Sequence, residues 1–531
     1  YYHMEGDCTQ RLEAALLRTL RHNAGNGHTC LPRAQLLDTA SHFIQQPPEK
    51  LARALDHCIE TGQLGVKMLE AVPYIYLPDL LEAEQAIADR LALLAKREKQ
   101  KVRDLDKNIQ VLELTQGFAY APLQREAIRK AMTENCLVLT GGPGTGKTTT
   151  VNAILQLLEN QAERVALCAP TGRAAKRLSE LTGRKASTIH RLLEVDYTGG
   201  VVSFIHNDKN LLKCDVVILD EMSMVDVKLF QALVTALRYS CRIIMVGDAD
   251  QLPSVGPGNI LGEILKAGVV PTVRLTDIFR QAQRSLIVQN AHRIVEGKLP
   301  ELRRHDSDFF FLPQEEPAKA AQLFVSLCGV RLPRSYGFSS LSDIQVLCPG
   351  RKGELGTVEL NKLLREAINP PAKGKREVKL NGSLFREGDK VMQVRNNYDL
   401  PWTREDGTSG QGIFNGDMGV ITEIDRPGGA IHVHIDDKDV LYDFEHASTE
   451  LEPAYAVTIH KSQGNEFPAV VIPVLRPPFQ LCYRNLLYTG VTRAKQLLIL
   501  VGQRSVISAM IENDRKTRRY TGLKWFLQRE E

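Results

Sequence analysis

The chain has 531 residues, 43% of them hydrophobic and 24% charged, with a net charge of +4. This is the composition of a globular protein of about three or four domains, and no apolar run approaches the ~20 residues that cross a membrane. Such a charge permits a polyanionic partner without demanding one. The opening Tyr-Tyr-His-Met-Glu-Gly-Asp-Cys has neither the basic segment nor the apolar core of a signal peptide. It lacks an initiator Met, so a truncated chain is expected. The ten cysteines include no Cys-x-x-Cys pair and several sit in apolar runs. That pattern predicts buried thiols, a reducing cytoplasm and no zinc site.

In chain order, Gln10 to His22 is an amphipathic helix, Gly27 to Leu31 a short strand, and Pro32 the first residue of a second helix. Pro48 to Glu60 predicts a third helix, and Leu64 to Leu77 a two-stranded wing turning at Glu70-Ala71. Helices followed by a wing suggest a winged-helix-like module that either binds DNA or packs on a neighbour. The lack of a dense Lys/Arg cluster favours packing. Asp79 to Arg103 reads as one long charged connector helix. Gln124, just ahead of a helix, carries an amide whose donor and acceptor match the edge of adenine.

Cys136 to Thr140 is a strand-length apolar run, and Thr149 to Leu158 has helical periodicity. Between them stands Gly141-Gly-Pro-Gly-Thr-Gly-Lys-Thr148, whose glycines (141, 142, 144, 146), Pro143, Thr145 and Thr149 shape a phosphate cradle. Lys147 then reaches the β- and γ-phosphates, and the Thr148 hydroxyl ligates Mg²⁺. Arg164 to Leu178 is a strand, a small-residue turn (Pro170, Thr171, Gly172) and a basic helix. Ser187 to Leu193 contains His190, and Val195 to His206 predicts a hairpin. Asp215 to Ser223 is a strand ending in Asp220-Glu221, and Arg242 to Pro253 a strand ending in a polar turn with Gln251. Carboxylates at a strand end beside a phosphate loop are placed to support Mg²⁺ and polarise water. Strands alternating with helices imply a parallel sheet with its site at the strand ends.

The later half continues with Leu275-Thr-Asp-Ile-Phe-Arg-Gln281, Ala454 to Phe467 (Ala-Tyr-Ala-Val-Thr-Ile-His-Lys-Ser-Gln-Gly-Asn-Glu-Phe) and Leu487-Tyr-Thr-Gly-Val-Thr-Arg-Ala-Lys495. Asp343 to Pro349 is a strand and Gly356 to Ala367 a helix; short strands at 388–395, 417–424, 430–435 and 440–444 make a small β-barrel. His432 and His434 alternate on one barrel face and read as surface. Arg395 to Tyr398 is either a plain loop or a DNA contact.

Over residues 110–505 this succession of motifs resembles superfamily 1 helicases, and among them the stand-alone RecD-like branch. The resemblance implies an α/β fold: two RecA-like parallel-sheet motor domains (109–282; 283–375 with 451–531), an N-terminal winged-helix-like module (1–108) and an inserted SH3-like β-barrel (376–450). It implies an ATP-dependent helicase moving 5′ to 3′ on single-stranded DNA, with ATP and Mg²⁺. Lys147, Glu221, Gln251, Arg280 and Arg493 are the expected catalytic set, with Thr148 and Asp220 at the metal and Gly464 and Glu466 near the nucleotide. Pro170, Thr171, Gly172, His190, Asn396, Thr458, His460 and Lys461 are the expected DNA contacts, and the 195–206 hairpin the expected wedge. The implied partners are single-stranded DNA and duplex with a 5′ overhang, met by a monomer rather than with RecB/RecC-type subunits. The absence of helix–hairpin–helix elements upstream adds to the expectation of truncation. An RNA helicase of the same superfamily and a nucleotide-gated DNA-binding subunit of a helicase–nuclease complex are the alternatives.

Overall fold

The computed structural model describes residues 8–196, 203–279, 282–304, 306–514 and 519–529. The helices Thr9–Gly25, Arg33–Ile44 and Pro48–Glu60 surround a core of Leu16, Leu36, Leu51 and Leu55, closed by a three-stranded antiparallel sheet. Its hairpin pairs Gly65–Leu69 with Val72–Tyr76 and turns at Glu70 and Ala71, both with positive φ (48° and 64°), the two-residue turn whose twist suits a hairpin. Pro32 ends the strand Cys30–Pro32 and precedes the second helix instead of opening it.

The helix expected over 79–103 ends early, as Pro78–Lys96, and a second helix, Leu105–Gln116, begins beyond that span. A residue far along the chain stops the first. Asn135 Nδ2 donates to the carbonyls of Arg97 (3.2 Å) and Glu98 (3.1 Å), and Gln100 N donates to Thr133 O (2.7 Å). Asp104 then turns the chain at φ 52°. Nor is the first of these helices a bare connector. Ile87, Leu91 and Leu94 are buried, and it packs on the helices Val227–Thr235 and Leu523–Leu527.

The first large sheet is parallel, in the order Thr272–Leu275, Cys136–Gly141, Arg242–Gly247, Val216–Leu219, Val165–Ala169, Ser187–Thr188. Its central strands are covered on both faces, which is why they read as continuous apolar runs. Thr171 and Asp226 cap the helices that follow, accepting from Ala174 N and Leu229 N. The second large sheet is also parallel: Phe309–Pro313, Ala494–Gly502, Phe467–Val474, Ile344–Cys348, Ala456–Thr458. Inserted in it is a seven-stranded antiparallel sheet, from Lys390–Gln393 to Leu451–Pro453, around Ile413, Ile421, Ile431, Val433 and Tyr442.

The chain end closes back on its start. Glu84, fully buried, accepts from Thr29 Oγ1 (2.7 Å), Tyr76 OH (3.2 Å), Thr521 Oγ1 and Gly522 N (2.9 Å). Arg519 donates to the carbonyls of Ser254, Gly256 and Gly258, tying the same segment to the turn after Gln251. Among the described residues no helix is long and apolar enough to cross a membrane.

Candidate functional site

Because both large sheets are parallel, each has one edge where all strands end and one where all begin. The glycine loop, Asp220-Glu221 and Asp248-Gln251 follow three strands of the first sheet. Glu466 and Arg493 immediately precede two strands of the second. A cleft of about 730 Å³ lies between these edges and is lined from both.

Gly144 (φ 73°) and Gly146 (φ 82°) take the left-handed backbone that curls the loop. A Cβ on Gly146 would stand 2.3 Å from the Phe279 ring, so the segment after Leu275 crosses directly over the loop. Phe279 N donates to Gly144 O (3.2 Å), and Phe279 and Ala282 line the cleft. Arg280 lies between them, outside the described residues. Lys147 Nζ donates to the carbonyls of Gly141 and Gly142, and Thr145 Oγ1 to Gly142 O (2.8 Å). Gly142, Pro143, Gly144, Gly146, Lys147, Thr148 and Thr149 line the cleft, whereas Gly141 and Thr145 stand behind it as buried supports.

Burial, reinforced by the neighbouring Glu221 charge, raises the Asp220 carboxyl to about 6. A carboxylate whose charge is disfavoured in this way gains from a cation close by. Thr148 and Asp220 both line the cleft and offer oxygen donors, which is the donor set Mg²⁺ takes. Glu221 beside them has a φ of 53°, unusual for its residue type.

Gln251 Nε2 donates to Asp248 Oδ2 (3.2 Å), while its Oε1 is buried without a protein partner among the described residues. Asp248 Oδ2 also accepts from Tyr488 OH (2.6 Å), on the second sheet's helix Arg484–Val491. Burial, then the Asp248 charge, pushes this phenol well above its usual range. Leu252 is held from both sides, its N–H by Thr489 Oγ1 (3.0 Å) and its carbonyl by Gln463 Nε2 (2.8 Å). Arg493 is buried and donates to Thr489 O, Asn465 O and Thr492 Oγ1. Glu466 pairs with Arg177 (2.6 Å) and Lys495 (3.6 Å). Gly464 (φ 75°) lies close to Thr171: a Cβ there would be 3.1 Å from the Thr171 hydroxyl.

Gln124 stands under the loop. Its oxygen accepts from Ala121 N (3.0 Å), and its nitrogen donates to Gly146 O and Thr150 Oγ1 (each 3.3 Å). The amide expected to read adenine is thus occupied within the protein. Sequence reasoning assigned no role to Phe118, which lines the cleft, or to Arg177, Asp248 and Tyr488. The last three stood inside quoted motifs, and only the fold pairs them.

The expected nucleic-acid residues fall into two groups. Gly172, directly after Pro170 and Thr171, meets the barrel: a Cβ on it would touch the Phe414 ring (2.8 Å). Phe414 continues a chain of rings to Tyr398 (5.5 Å), His190 (5.9 Å) and Phe204 (5.9 Å). Burial lowers His190 below the usual imidazole range. Asn396 is exposed beside this chain and accepts from Asn415 N (2.9 Å). The hairpin pairs Val195–Asp196 with Ser203–Phe204, and its tip, 197–202, lies outside the described residues. The second group follows the strand Ala456–Thr458. Thr458 Oγ1 accepts from Lys461 N (3.3 Å), Lys461 pairs with Glu452 (2.7 Å), and His460 Nε2 is 3.4 Å from Tyr483 OH. Burial and the Arg519 charge lower His460.

Three family models match: an AAA domain over 124–257, the SH3 domain of ATP-dependent RecD-like DNA helicases over 360–435, and a UvrD-like helicase C-terminal domain over 453–501. The chain is 32% identical over 526 residues to the ATP-dependent RecD2 DNA helicase of Deinococcus radiodurans, covering 96% of this chain and 68% of that one. It is 32% identical over 488 residues to the RecBCD enzyme subunit RecD of Mycobacterium tuberculosis, covering 84% and 79%. Among solved structures, two coordinating Pif1 helicases on forked DNA match with a TM-score of 0.43 and 19% identity, over 72% of this chain and 92% of that one.

Proposed function

The chain belongs to the RecD-like family of ATP-dependent DNA helicases, and from that premise we propose that it translocates 5′ to 3′ along single-stranded DNA and unwinds duplexes with a 5′ overhang. One observation carries the mechanism: Lys147, Asp220, Glu221 and Gln251 of the first sheet line the same cleft as Glu466 and Arg493 of the second. Each motor unit holds half of a phosphoryl-transfer site, so a triphosphate binds best when the halves close. In this reading the motor units are 109–282 and 283–375 with 451–531, flanked by the module 1–108 and interrupted by the barrel 376–450.

ATP lies with its phosphates in the glycine loop. Lys147 exchanges its bonds to the Gly141 and Gly142 carbonyls for the β- and γ-phosphates. Thr148 and Asp220 would hold Mg²⁺, which when bound would neutralise phosphate charge. Glu221 orients the attacking water and takes its proton as the water oxygen bonds to the γ-phosphorus and the β–γ bridge breaks. Arg493 supplies positive charge from the second unit, and Arg280 is the second expected arginine; such a group is worth on the order of 10³ or more in rate in related enzymes. Gln251 joins the cleft to the junction with the second unit through Asp248, Leu252 and their partners. Thr171, His190 and Asn396 on one side, and Thr458, His460 and Lys461 on the other, hold the strand by phosphate contacts and stacking.

The relative named ATP-dependent RecD2 DNA helicase aligns over 96% of the chain, and the relative named a RecBCD enzyme subunit over 84%. This favours action as a monomer without RecB/RecC-type partners. The test is ATP hydrolysis by the purified chain with matched single-stranded DNA and RNA of one sequence. Stimulation by DNA alone is the expected result; equal or greater stimulation by RNA would move the assignment to an RNA remodeller.

A further inference from the structure

The strand-end row that holds Thr458 and Lys461 continues across the second sheet. The strand Ile344–Cys348 pairs with Ala456–Thr458, Cys348 opposite Thr458, and is followed by Gly350. A Cβ on Gly350 would meet Leu481 Cδ1 at 3.2 Å and Pro478 Cγ at 3.4 Å, so the turn after the strand Phe467–Val474 lies directly against it. At its other end the turn reaches His460 through Tyr483 OH. At the apex Phe479 is 91% exposed, the most exposed large hydrophobic side chain among the described residues.

Nothing about this turn is loose. Pro477 and Pro478 fix two backbone dihedrals, Leu481 N donates to Pro478 O (2.8 Å), and Asn513 Nδ2 holds Cys482 O (2.6 Å). Arg476 enters it at φ 45°, a conformation that costs a bulky residue free energy and collects at functional turns. Beside it is a cleft of about 190 Å³ with Lys352, Arg476 and a single acidic residue, Glu354, in its lining. Arg351, exposed and 3.4 Å from Glu452, links this cleft to Lys461. An unburied aromatic ring on a stiff mount, with cations on the adjoining surface, is the combination that grips single strands: the ring stacks on a base while the cations meet phosphates.

We propose that Phe479 is a base-stacking platform for single-stranded DNA on the second motor unit, with Arg351, Lys352 and Arg476 on the neighbouring phosphates. This rests on the DNA-translocase reading above. The test compares the full-length chain with Phe479→Ala and Phe479→Trp for binding to an oligothymidylate and to an abasic oligomer of equal length, at one salt concentration. Phe479→Ala should raise Kd for the oligothymidylate about 5- to 100-fold, with Phe479→Trp restoring it. On the abasic strand, wild type and Phe479→Ala should bind alike. An unchanged melting temperature is expected of every variant, since the ring is 91% exposed. Unchanged affinity of Phe479→Ala for the oligothymidylate overturns the platform, as does an equal loss on both strands or docking of a protein partner at this ring in place of DNA. No binding of either strand by wild type would instead sink the helicase reading itself.

Discussion

Tyr488→Phe removes one oxygen atom and, with it, the bond that joins the turn after the strand Arg242–Gly247 of the first sheet to the second. The phenol donates to Asp248 Oδ2 at 2.6 Å, and both residues are buried. Asp248 is left with the N–H of Asp250 and the Gln251 amide. A hydrogen bond to a charged group contributes about 1.5–3 kcal/mol, and water has little room to replace it here. Because the two partners belong to different motor units, the loss falls on the closed arrangement. The closed-to-open ratio should drop by about one to two powers of ten. The assays are titration with a non-hydrolysable ATP analogue and DNA-stimulated kcat. Weaker analogue binding together with a lower kcat is expected. Wild-type values for both would refute the view that this contact transmits closure.

Glu221→Gln keeps the shape of the site but removes the proton acceptor, so ATP should still bind while hydrolysis falls about 10²- to 10⁴-fold; unaltered turnover would assign the base elsewhere. Glu84 gives a pH prediction. Burial, only partly offset by its four donors, raises its carboxyl to about 7, above the ~4.3 of an unfolded chain. The folded protein therefore binds this proton more tightly: the contribution is greatest below the unfolded pKa and is lost as pH rises through about 7, by up to ~4 kcal/mol. Glu84→Gln should flatten that part of the stability profile between pH 5 and 8, and an identical slope in both proteins would contradict it.

What could be read from the sequence was whatever neighbours in the chain determine. The glycine loop announced itself because strand, loop and helix are contiguous, and the parallel strands because burial on both faces leaves an unbroken apolar run. The wing was legible from its alternation, with a turn that needs no glycine at Glu70-Ala71. Hidden were features made by residues far apart. Asn135 captures the carbonyls of Arg97 and Glu98 and so breaks a helix whose own composition gives no reason to stop. Gln124 spends its amide on Gly146 and Thr150, which no local pattern foretells. Tyr488 meets Asp248 across 240 positions, and Thr521 meets Glu84 across 437. No sequence pattern singled out Phe479, whose ring the fold leaves in solvent beside Arg476 and Lys352.

The account's central claim is that closure of a two-sided ATP site drives directed movement on DNA. Unwinding of duplexes bearing either a 5′ or a 3′ single-stranded tail, with ATP and Mg²⁺, tests it most directly. The account predicts strand separation on the 5′-tailed duplex and none with Lys147→Ala. Unwinding from the 3′ tail would reverse the polarity, and ATP hydrolysis with no unwinding of either substrate would contradict the claim.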